Sequence, residues 1–304
     1  MRYSLDSLTD GPLIKAAQPI PNKEIIDFWD SLDINLEDAA FNYDIIPQFK
    51  KNYAFWIKES KKNNLHGLER YSHLSLSHGT SEAFHIFWAK HSKRRLRCFK
   101  AEFVLHKLIW RNNQYDYKFL EDDRIRKNDA VIISLPYSDH GGEHPRTKEI
   151  LEACNKLDVP VLIDCAYMVI AKDMIFNFDL DCIETVTFSL SKGFWGIDKL
   201  RCGIRFQKNN DDDGIDVSNI WGTLNLVSLT IADKLISTFS PDYNWETFEE
   251  KYNAVIQKYD LRATNCILFA LGDDRYKDFN RGGDVNRVCI SNALNNINTK
   301  DLNE

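Results

Sequence analysis

Short apolar runs alternate with longer amphipathic stretches over the middle of the chain, from Tyr71 to about Phe206. Six short runs are candidates for strands, at residues 73–77, 95–100, 130–136, 159–165, 184–190 and 201–206. Segments 80–89 and 145–157, which lie between them, have a helical pattern. This alternation predicts an α/β fold in which helices cover both faces of a mostly parallel sheet.

Four more helical patterns flank this block, at residues 23–32, 47–63, 221–239 and 245–259. Apolar runs at 263–271 and 287–291 then predict the strands of a smaller C-terminal α/β unit. On this basis we divide the chain into an N-terminal arm (1–45), a large α/β domain (46–215) and a small C-terminal domain (216–304).

Charge and composition exclude several classes of protein. The chain has 304 residues and a net charge of −6, which disfavours a general nucleic-acid surface. Its one basic cluster, Lys93 to Arg97, is interpreted as a solvated turn. No apolar run approaches the roughly 18 residues of a membrane span. The first residues lack an apolar signal core, so we expect a cytoplasmic protein.

Cysteine and histidine patterns give no metal or disulfide signature. The seven cysteines are an odd number, have no Cys-x-x-Cys spacing and lie mostly in apolar runs. They are predicted to be buried free thiols in a reducing compartment. The eight histidines are scattered without paired ligand spacing, and no metal site is predicted.

Polar residues follow several predicted strands at their carboxyl ends, where open α/β sheets bind ligands. In SLSHGTSEAF (75–84), Gly79 and Thr80 begin a helix, and free N–H groups and hydroxyls there suit a phosphate. The same residues with Glu82 could also form an ordinary helix N-cap.

In VLIDCAYM (161–168), Asp164 ends an apolar strand and Tyr167 follows it. Such a carboxylate requires a cation or several donors, although a helix N-cap is an alternative.

Cationic residues complete the candidate site. In TFSLSKGFWGIDKLRCGI (187–204), Lys192 could form an imine with an aldehyde and Arg201 could bind a phosphate through its planar guanidinium. Arg287 begins a short apolar strand and could bind a substrate carboxylate. Taken singly, each of these three could be a surface charge.

The order of these motifs resembles the fold-type I pyridoxal-phosphate (PLP) enzymes, specifically a shortened member of the class I/II aminotransferase family. The resemblance runs from about Tyr71 to Ser291 and is strongest from Val161 to Phe206. It implies the PLP-dependent transferase-like fold of aspartate aminotransferase, with a large domain built on a mostly parallel sheet and a smaller α/β C-terminal unit. It also implies pyridoxal 5'-phosphate as cofactor and a homodimer.

Residue roles follow from the same resemblance. Lys192 is similar to the lysine that holds the cofactor as an internal aldimine and moves the substrate proton. Asp164 resembles the carboxylate that keeps the pyridine nitrogen protonated. Tyr167 resembles the tyrosine that hydrogen-bonds the phenolic oxygen. The implied phosphate-binding residues are Gly79, Thr80, Ser189 and Arg201, with Ser191 as a neighbouring candidate.

Two further positions match less specific features of the family. Phe103, in KAEF, lies where the family places a ring stacked on the pyridine, although a role in core packing is a close alternative. Arg287 matches the arginine that binds the substrate's α-carboxylate. Tyr43 is a faint candidate for the tyrosine that reaches the phosphate of a neighbouring subunit.

The chain departs from the family where Asn-Pro-x-Gly is usual. It reads SLPYSDHGGEHP (134–145), and alignment through Pro136 and Gly141 places Ser138 at the asparagine position. Ser138 or His140 could supply the missing donor to the phenolic oxygen. His78 stands where a small residue is common and could contact the ring or the phosphate.

The predicted function is therefore PLP-dependent transfer of an amino group between an amino acid, or a related amine, and a 2-oxo acid. The alternatives are another PLP reaction on an amino acid, such as decarboxylation, racemisation or β-elimination, or a non-catalytic binding module of the same fold. A nucleotide-binding domain is disfavoured because no Gly-x-Gly-x-x-Gly follows the first strand. Small-molecule substrates are the expected partners, with neither nucleic acid nor membrane.

Overall fold

Eleven strands form three sheets in the computed structural model of the protein, which describes residues 10–297. The strands are β1 (Asn64–His66), β2 (His73–Ser77), β3 (Arg95–Arg97), β4 (Asp129–Ser134), β5 (Val161–Cys165), β6 (Ile175–Asn177), β7 (Ile183–Ser189), β8 (Gly203–Gln207), β9 (Arg262–Ala263), β10 (Phe269–Gly272) and β11 (Asn286–Cys289).

The α-helices of the described residues surround these sheets. They are α1 (Lys23–Asp30), α2 (Leu36–Ala40), α3 (Ile45–Lys58), α4 (Thr80–Lys90), α5 (Val104–Asn113), α6 (Thr147–Leu157), α7 (Ile197–Leu200), α8 (Gly214–Trp221), α9 (Leu226–Thr238), α10 (Tyr243–Tyr259) and α11 (Ser291–Asn296). Short 3₁₀ helices lie at Leu68–Arg70, Met168–Ile170 and Asp274–Phe279.

The main sheet has the strand order β2-β8-β7-β5-β4-β3. Strands β3, β4, β5 and β7 are parallel to one another, and β8 is antiparallel to both of its neighbours, β2 and β7. The predicted α/β fold with a mostly parallel sheet is therefore confirmed. The carboxyl ends of the parallel strands lie along one edge, where Ser134 pairs with Asp164 and Ser189 pairs with Gly203.

Both faces of the central strands are buried, which explains their continuous apolar sequences. In β4, Ile132 packs into the core under α4 and α5, with Trp88 and Trp110. The alternate residues Val131 and Ile133 point to the opposite and larger core, which includes helix α3. Helices therefore cover both faces of the sheet, as the alternation of strand and helix patterns predicted.

A small antiparallel sheet, β11-β10-β9, forms the C-terminal unit. The prediction of one strand over 263–271 is wrong in its middle, because a turn separates β9 from β10. The Thr264 hydroxyl holds this turn by hydrogen bonds to the carbonyls of Cys266 and Phe269, at 3.0 and 2.9 Å. Ile14 bridges to Cys289 at the edge of β11, so the N-terminal segment joins this sheet.

The predicted helix over 221–239 is also wrong at its start. Helix α8 ends at Trp221 because Gly222 adopts a left-handed conformation with φ of +69°. A new helix, α9, begins at Leu226 after Asn225, whose side chain accepts a hydrogen bond from the N–H of Ser228. The division of the chain into three domains stays a prediction.

Burial corrects one interpretation and confirms another. The cluster from Lys93 to Arg97 is not simply a solvated turn, because Arg97 is fully buried and forms an ion pair with buried Asp129. All seven cysteines are buried and free, as predicted.

Within residues 10–297, no helix is both long enough and apolar enough to cross a membrane.

Candidate active site

A cleft of about 180 Å³ lies at the carboxyl ends of β4, β5 and β7. Most of the residues proposed from sequence line it, namely Thr80, Phe103, Ser138, Asp164, Tyr167, Ser189, Lys192 and Arg201, together with the neighbouring candidate Ser191. Gly79 does not line the cleft itself but lies directly behind the Arg201 side chain. Arg287 donates a hydrogen bond to the carbonyl of Ser138, which is one of the lining residues. The sheet topology thus brings together residues that are up to 208 positions apart, from Gly79 to Arg287.

Lys192 lies in a tight turn between β7 and α7. At Gly193, a Cβ would lie 2.5 Å from the Val169 side chain, so only glycine fits. The Gly193 carbonyl accepts a hydrogen bond from the Asn244 side chain at 2.9 Å. The Lys192 ammonium reaches into the cleft and donates to the carbonyl of Ala17 at 2.8 Å. The Gly-Phe-Trp-Gly sequence after the lysine therefore serves the close packing of this turn.

Arg201 lies beside the N-terminus of α4 and forms one wall of the cleft. Its Nη2 donates to the Ser81 hydroxyl at 2.9 Å, and its Nη1 lies 3.4 Å from the Ser191 hydroxyl. The Ser189 hydroxyl donates to that of Ser191 at 2.9 Å. Helix N–H groups, hydroxyls and a guanidinium converge here, which is the donor set that binds phosphate.

Two glycines allow this pocket to form. Gly79 has φ of +75° and ψ of 179°, a conformation open almost exclusively to glycine. A Cβ at Gly79 would lie 2.7 Å from Nη2 of Arg201. A Cβ at Gly203 would lie 2.8 Å from the Cα of Gly79, so the two backbones touch. Sequence reasoning identified Gly79 but not Gly203, whose importance arises from strand pairing.

Asp164 lies at the bottom of the cleft and is 4% exposed. Its Oδ1 accepts a hydrogen bond from the N–H of Ala166 at 3.0 Å. Burial, and then the charge of Glu102, raise the pKa of Asp164 to about 7, although nearby donors, including the Thr80 and Ser134 hydroxyls, oppose this rise. A cation that faced this carboxyl group would restore its negative charge.

Glu102 was not identified from the sequence, although it immediately precedes Phe103. It is buried, and Ser134 donates to it through both its N–H and its hydroxyl. The signal for Glu102 that the sequence offered was a carboxylate side chain between two apolar residues. Its partner is 32 positions away on the neighbouring strand, and this contact could not be read from local sequence.

Arg287 is fully enclosed at the other end of the cleft. Its guanidinium donates to the carbonyls of Ser138 and Lys15, at 3.1 and 2.8 Å, and lies 4.2 Å from the centre of the Phe269 ring. Its Nε has no hydrogen-bond partner. Arg281, which sequence reasoning did not identify, donates to the Ser138 hydroxyl at 3.2 Å. Two guanidinium groups therefore meet at Ser138.

The remaining candidates divide into two groups. Phe103 is 44% exposed and lines the cleft, which contradicts a role in core packing. The Tyr167 ring also lines the cleft and packs edge-on against Phe269. In contrast, neither His78 nor His140 lines the cleft: His78 is exposed, and His140 pairs with Asp284. Tyr43 lies against Gly222, away from the cleft.

The loop beside Ser138 brings three potential metal ligands together. Asp139, His140 and Asp284 place one ligand atom each within 4.8 Å of one another. Arg281, 3.9 Å from Asp139, would compete with a cation there. The absence of a metal site stays a prediction.

Charge is unbalanced around the cleft. Lys192, Arg201 and Arg287 have no carboxylate within 4.0 Å among residues 10–297, whereas the buried Arg97 and Arg205 each do. Such cations bind anions, and a lysine amine can also attack a carbonyl carbon. The cleft is therefore suited to a ligand that carries anionic groups and an electrophilic carbon.

Comparison with known proteins identifies the fold. An aspartate aminotransferase from Thermotoga maritima superposes with a TM-score of 0.60 at 17% identity, over 95% of this chain and 91% of that chain. A PLP-bound C-S lyase from Staphylococcus hominis gives 0.62 at 13% identity, over 100% and 96%. The L-threonine-O-3-phosphate decarboxylase from Porphyromonas gingivalis gives 0.60 at 14% identity, over 95% and 100%. No protein-family model and no curated protein sequence matches the chain. The fold is thus the predicted one of the class I/II PLP-dependent aminotransferases.

Proposed function

We propose that the protein is a PLP-dependent aminotransferase that moves an amino group between an amino acid and a 2-oxo acid. The observation that carries the proposal is a pair of cations, Lys192 and Arg201, that line one cleft without carboxylate partners among the described residues, with the enclosed Arg287 beside the cleft at Ser138. Their positions suit the aldehyde, the phosphate and the substrate carboxylate of this reaction.

The residues at the cleft fit this cofactor. Arg201 with the hydroxyls of Ser81, Ser189 and Ser191 would bind the phosphate, and Gly79 leaves the space that Arg201 needs. Thr80 would add its N–H at the start of α4. The exposed ring face of Phe103 would stack on the pyridine, and the Tyr167 and Ser138 hydroxyls would serve its phenolic oxygen.

Bound PLP would supply an electron sink for the charge that develops at the substrate's α-carbon. Asp164 would face the ring nitrogen and hold a proton there. Lys192 would bind the aldehyde carbon through Nζ and later carry the α-proton with the same atom. Arg287, which is enclosed beside the cleft and contacts the lining residue Ser138, would be the residue that fixes the substrate carboxylate.

The first test is amino transfer in the purified protein. We expect ¹⁵N from a labelled amino acid to appear in the amino acid formed from an added 2-oxo acid, in a reaction that requires PLP. Lys192→Ala should abolish this transfer and also the borohydride-sensitive absorption of the bound cofactor. Lys199→Ala is the matched control, because this lysine is exposed on the next helix and should be dispensable. Retention of both signals in Lys192→Ala would overturn the proposal.

A lyase or decarboxylase reaction is the second candidate, since solved structures with this fold include both activities. Release of ammonia, sulfide or carbon dioxide without ¹⁵N transfer would favour it. A spectrum that depends on Lys192 without any turnover would instead favour a binding module. The cytoplasmic location stays an expectation.

We also propose a homodimer, supported by an apolar surface formed by α2, the loop between α2 and α3, and the end of α8. Leu36, Phe41, Tyr43, Ile220 and Trp221 are exposed there, and the last two are 71% and 72% exposed. Tyr43 lies against Gly222, so the loop that contains Tyr43 and the end of α8 are neighbours. An apolar patch of large side chains in a chain with a net charge of −6 is typical of an interface.

A further inference from the structure

A short segment near the N-terminus lies against two of the cations of the site. The Lys15 carbonyl accepts a hydrogen bond from Arg287 Nη2, and the Ala17 carbonyl accepts one from Lys192 Nζ, both at 2.8 Å. Neither cation has a carboxylate partner among residues 10–297. Two neutral carbonyl groups of one segment therefore occupy positions where the charge of the cations favours an anion.

This segment, residues 15–18, is fixed at both ends and loosely held between them, and we call it the strap. Before it, Ile14 exchanges two main-chain hydrogen bonds with Cys289, each at 2.9 Å. After it, Ile20 is buried in the core. Within residues 10–297, the main chain of the strap forms no hydrogen bonds other than the two with the cations. The strap can therefore move without breaking a strand or a helix.

Access to Arg287 depends on what covers it. The residue is 2% exposed and does not line the cleft. Its other carbonyl partner, that of Ser138, belongs to a loop that is tied by a hydrogen bond from the Tyr137 N–H to the Gly142 carbonyl at 2.7 Å. The strap is the more weakly held of the two covers, so a ligand reaches the guanidinium by displacing the strap.

We propose that the strap is an autoinhibitory contact, in which the Lys15 carbonyl holds Arg287 until the carboxylate of a ligand takes its place. A charged acceptor forms a stronger hydrogen bond with a guanidinium than a neutral carbonyl does, so the exchange favours the ligand. The loss of the Lys15 contact frees one end of the strap and opens the enclosure around Arg287. The exchange stands on these contacts, whereas its role in controlling catalysis rests on the proposed function.

The Ala17 contact joins the same movement to Lys192. The two carbonyl groups are two residues apart on one strap, so displacement of the Lys15 carbonyl also weakens the hydrogen bond to the Lys192 amine. A ligand that prefers the open strap shifts the protein towards it. Binding of a carboxylate at Arg287 would thus release the amine on which the proposed reaction depends.

Limited proteolysis with trypsin measures how often the strap opens. Trypsin cuts after Lys15 only when the Lys15 carbonyl is free of Arg287, so the rate of this cut follows the population of the open strap. In protein saturated with PLP, we expect one or more of three carboxylate probes, acetate, pyruvate and 2-oxoglutarate, to accelerate the cut about tenfold relative to chloride at equal ionic strength. This factor corresponds to the loss of one hydrogen bond to a charged group. Cleavage after Lys127, in an exposed turn at the other end of β4 from the cleft, should not change and serves as the internal reference.

Arg287→Met tests the contact without a ligand. The variant keeps a long side chain but has no donor, so cleavage after Lys15 should be about tenfold faster than in the wild type and insensitive to the three carboxylates. Arg281→Met is the matched control, because Arg281 also donates to Ser138 but does not contact the strap. Its cleavage after Lys15 should proceed at the wild-type rate.

Each result bears on one step. A wild-type rate that none of the three carboxylates changes would overturn the exchange, and equal rates in Arg287→Met and the wild type would overturn the contact. If Arg287→Met does not fold, the response of the wild type to the carboxylates decides alone. Cleavage rates as expected, in a protein that transfers no ¹⁵N, would support the strap and overturn only the proposed function.

Discussion

At the scale of single residues, spacing along the chain was informative where a side chain follows a strand directly. Asp164 and Lys192 were identified in this way, because each ends or follows a buried strand and all such ends meet at one edge. Glu102 and Arg281 were not identified, because their contacts with Ser134 and Ser138 join distant segments. His78 was proposed from its position in a motif, but it is exposed and does not line the cleft.

Gly79→Ala provides a prediction at this scale. The new methyl group would lie 2.7 Å from Nη2 of Arg201, on a backbone conformation that costs a non-glycine residue about 1–3 kcal/mol. We expect the dissociation constant of PLP to rise by roughly tenfold or more, since 1.4 kcal/mol corresponds to a factor of about ten. Absorbance titration with PLP measures it.

Gly214→Ala is the control, because a Cβ at Gly214 would meet nothing within 4 Å. Its affinity for PLP should equal that of the wild type. An unchanged dissociation constant in Gly79→Ala would exclude a role of the Gly79 turn in phosphate binding.

At the scale of elements, the apolar runs predicted the strands of the main sheet to within a few residues. The β2 prediction of 73–77 agrees fully, since polar residues and a glycine bound the run. Prediction failed where turns depend on tertiary contacts. Gly222 ends α8 in the middle of a stretch whose apolar pattern is that of one continuous helix. Thr264 forms the turn between β9 and β10 through side-chain hydrogen bonds, and the hydrophobic pattern of the sequence does not show such bonds.

The ion pairs at the start of β4 give a prediction about stability. Asp129 is fully buried and accepts from Arg95 Nε at 2.7 Å and from Arg97 Nη1 at 2.5 Å. Asp129→Asn would leave the buried Arg97 without a counter-charge, and we expect the free energy of unfolding to fall by about 3–5 kcal/mol. Denaturant titration measures this loss.

Two comparisons make that measurement specific. Asp27→Asn breaks an exposed ion pair with Lys23 and should cost less than about 1 kcal/mol. The affinity of folded Asp129→Asn for PLP should be retained, because Asp129 lies at the opposite end of β4 from Ser134. A loss no larger than that of Asp27→Asn would contradict the assigned importance of this pair.

At the scale of the whole molecule, the fold places the anion-binding cleft and the apolar surface on one chain. The fold could be predicted because a mostly parallel sheet leaves a clear alternation of strand and helix patterns. The apolar surface could not, because exposed and buried hydrophobic residues look alike in a sequence. Trp221 follows a helical pattern as a core residue would, yet it is 72% exposed.

Trp221→Glu tests whether this surface forms the dimer. A charge in the middle of a buried apolar interface would remain unpaired, so we expect the variant to sediment as a monomer where the wild type sediments as a dimer. Ile175→Glu is the control: Ile175 in β6 is 71% exposed, and its replacement should leave the dimer intact. Wild-type protein that is monomeric at micromolar concentration, or a dimeric Trp221→Glu, would refute the interface.

The contact between Gly79 and Gly203 has a consequence for how this sequence can diverge. A Cβ at Gly203 would meet the backbone of Gly79, which cannot move aside as a side chain could, and Gly79 itself has a φ of +75°, so each position requires glycine for its own reason. In a library randomised at both codons and selected for PLP binding, glycine should be recovered at each position whatever occupies the other. Substitutions are tolerated more readily in the long helices, because many sequences keep the pattern of apolar residues that packs a helix against the core. A chain could therefore drift far in overall identity while this one contact keeps the anion pocket in shape.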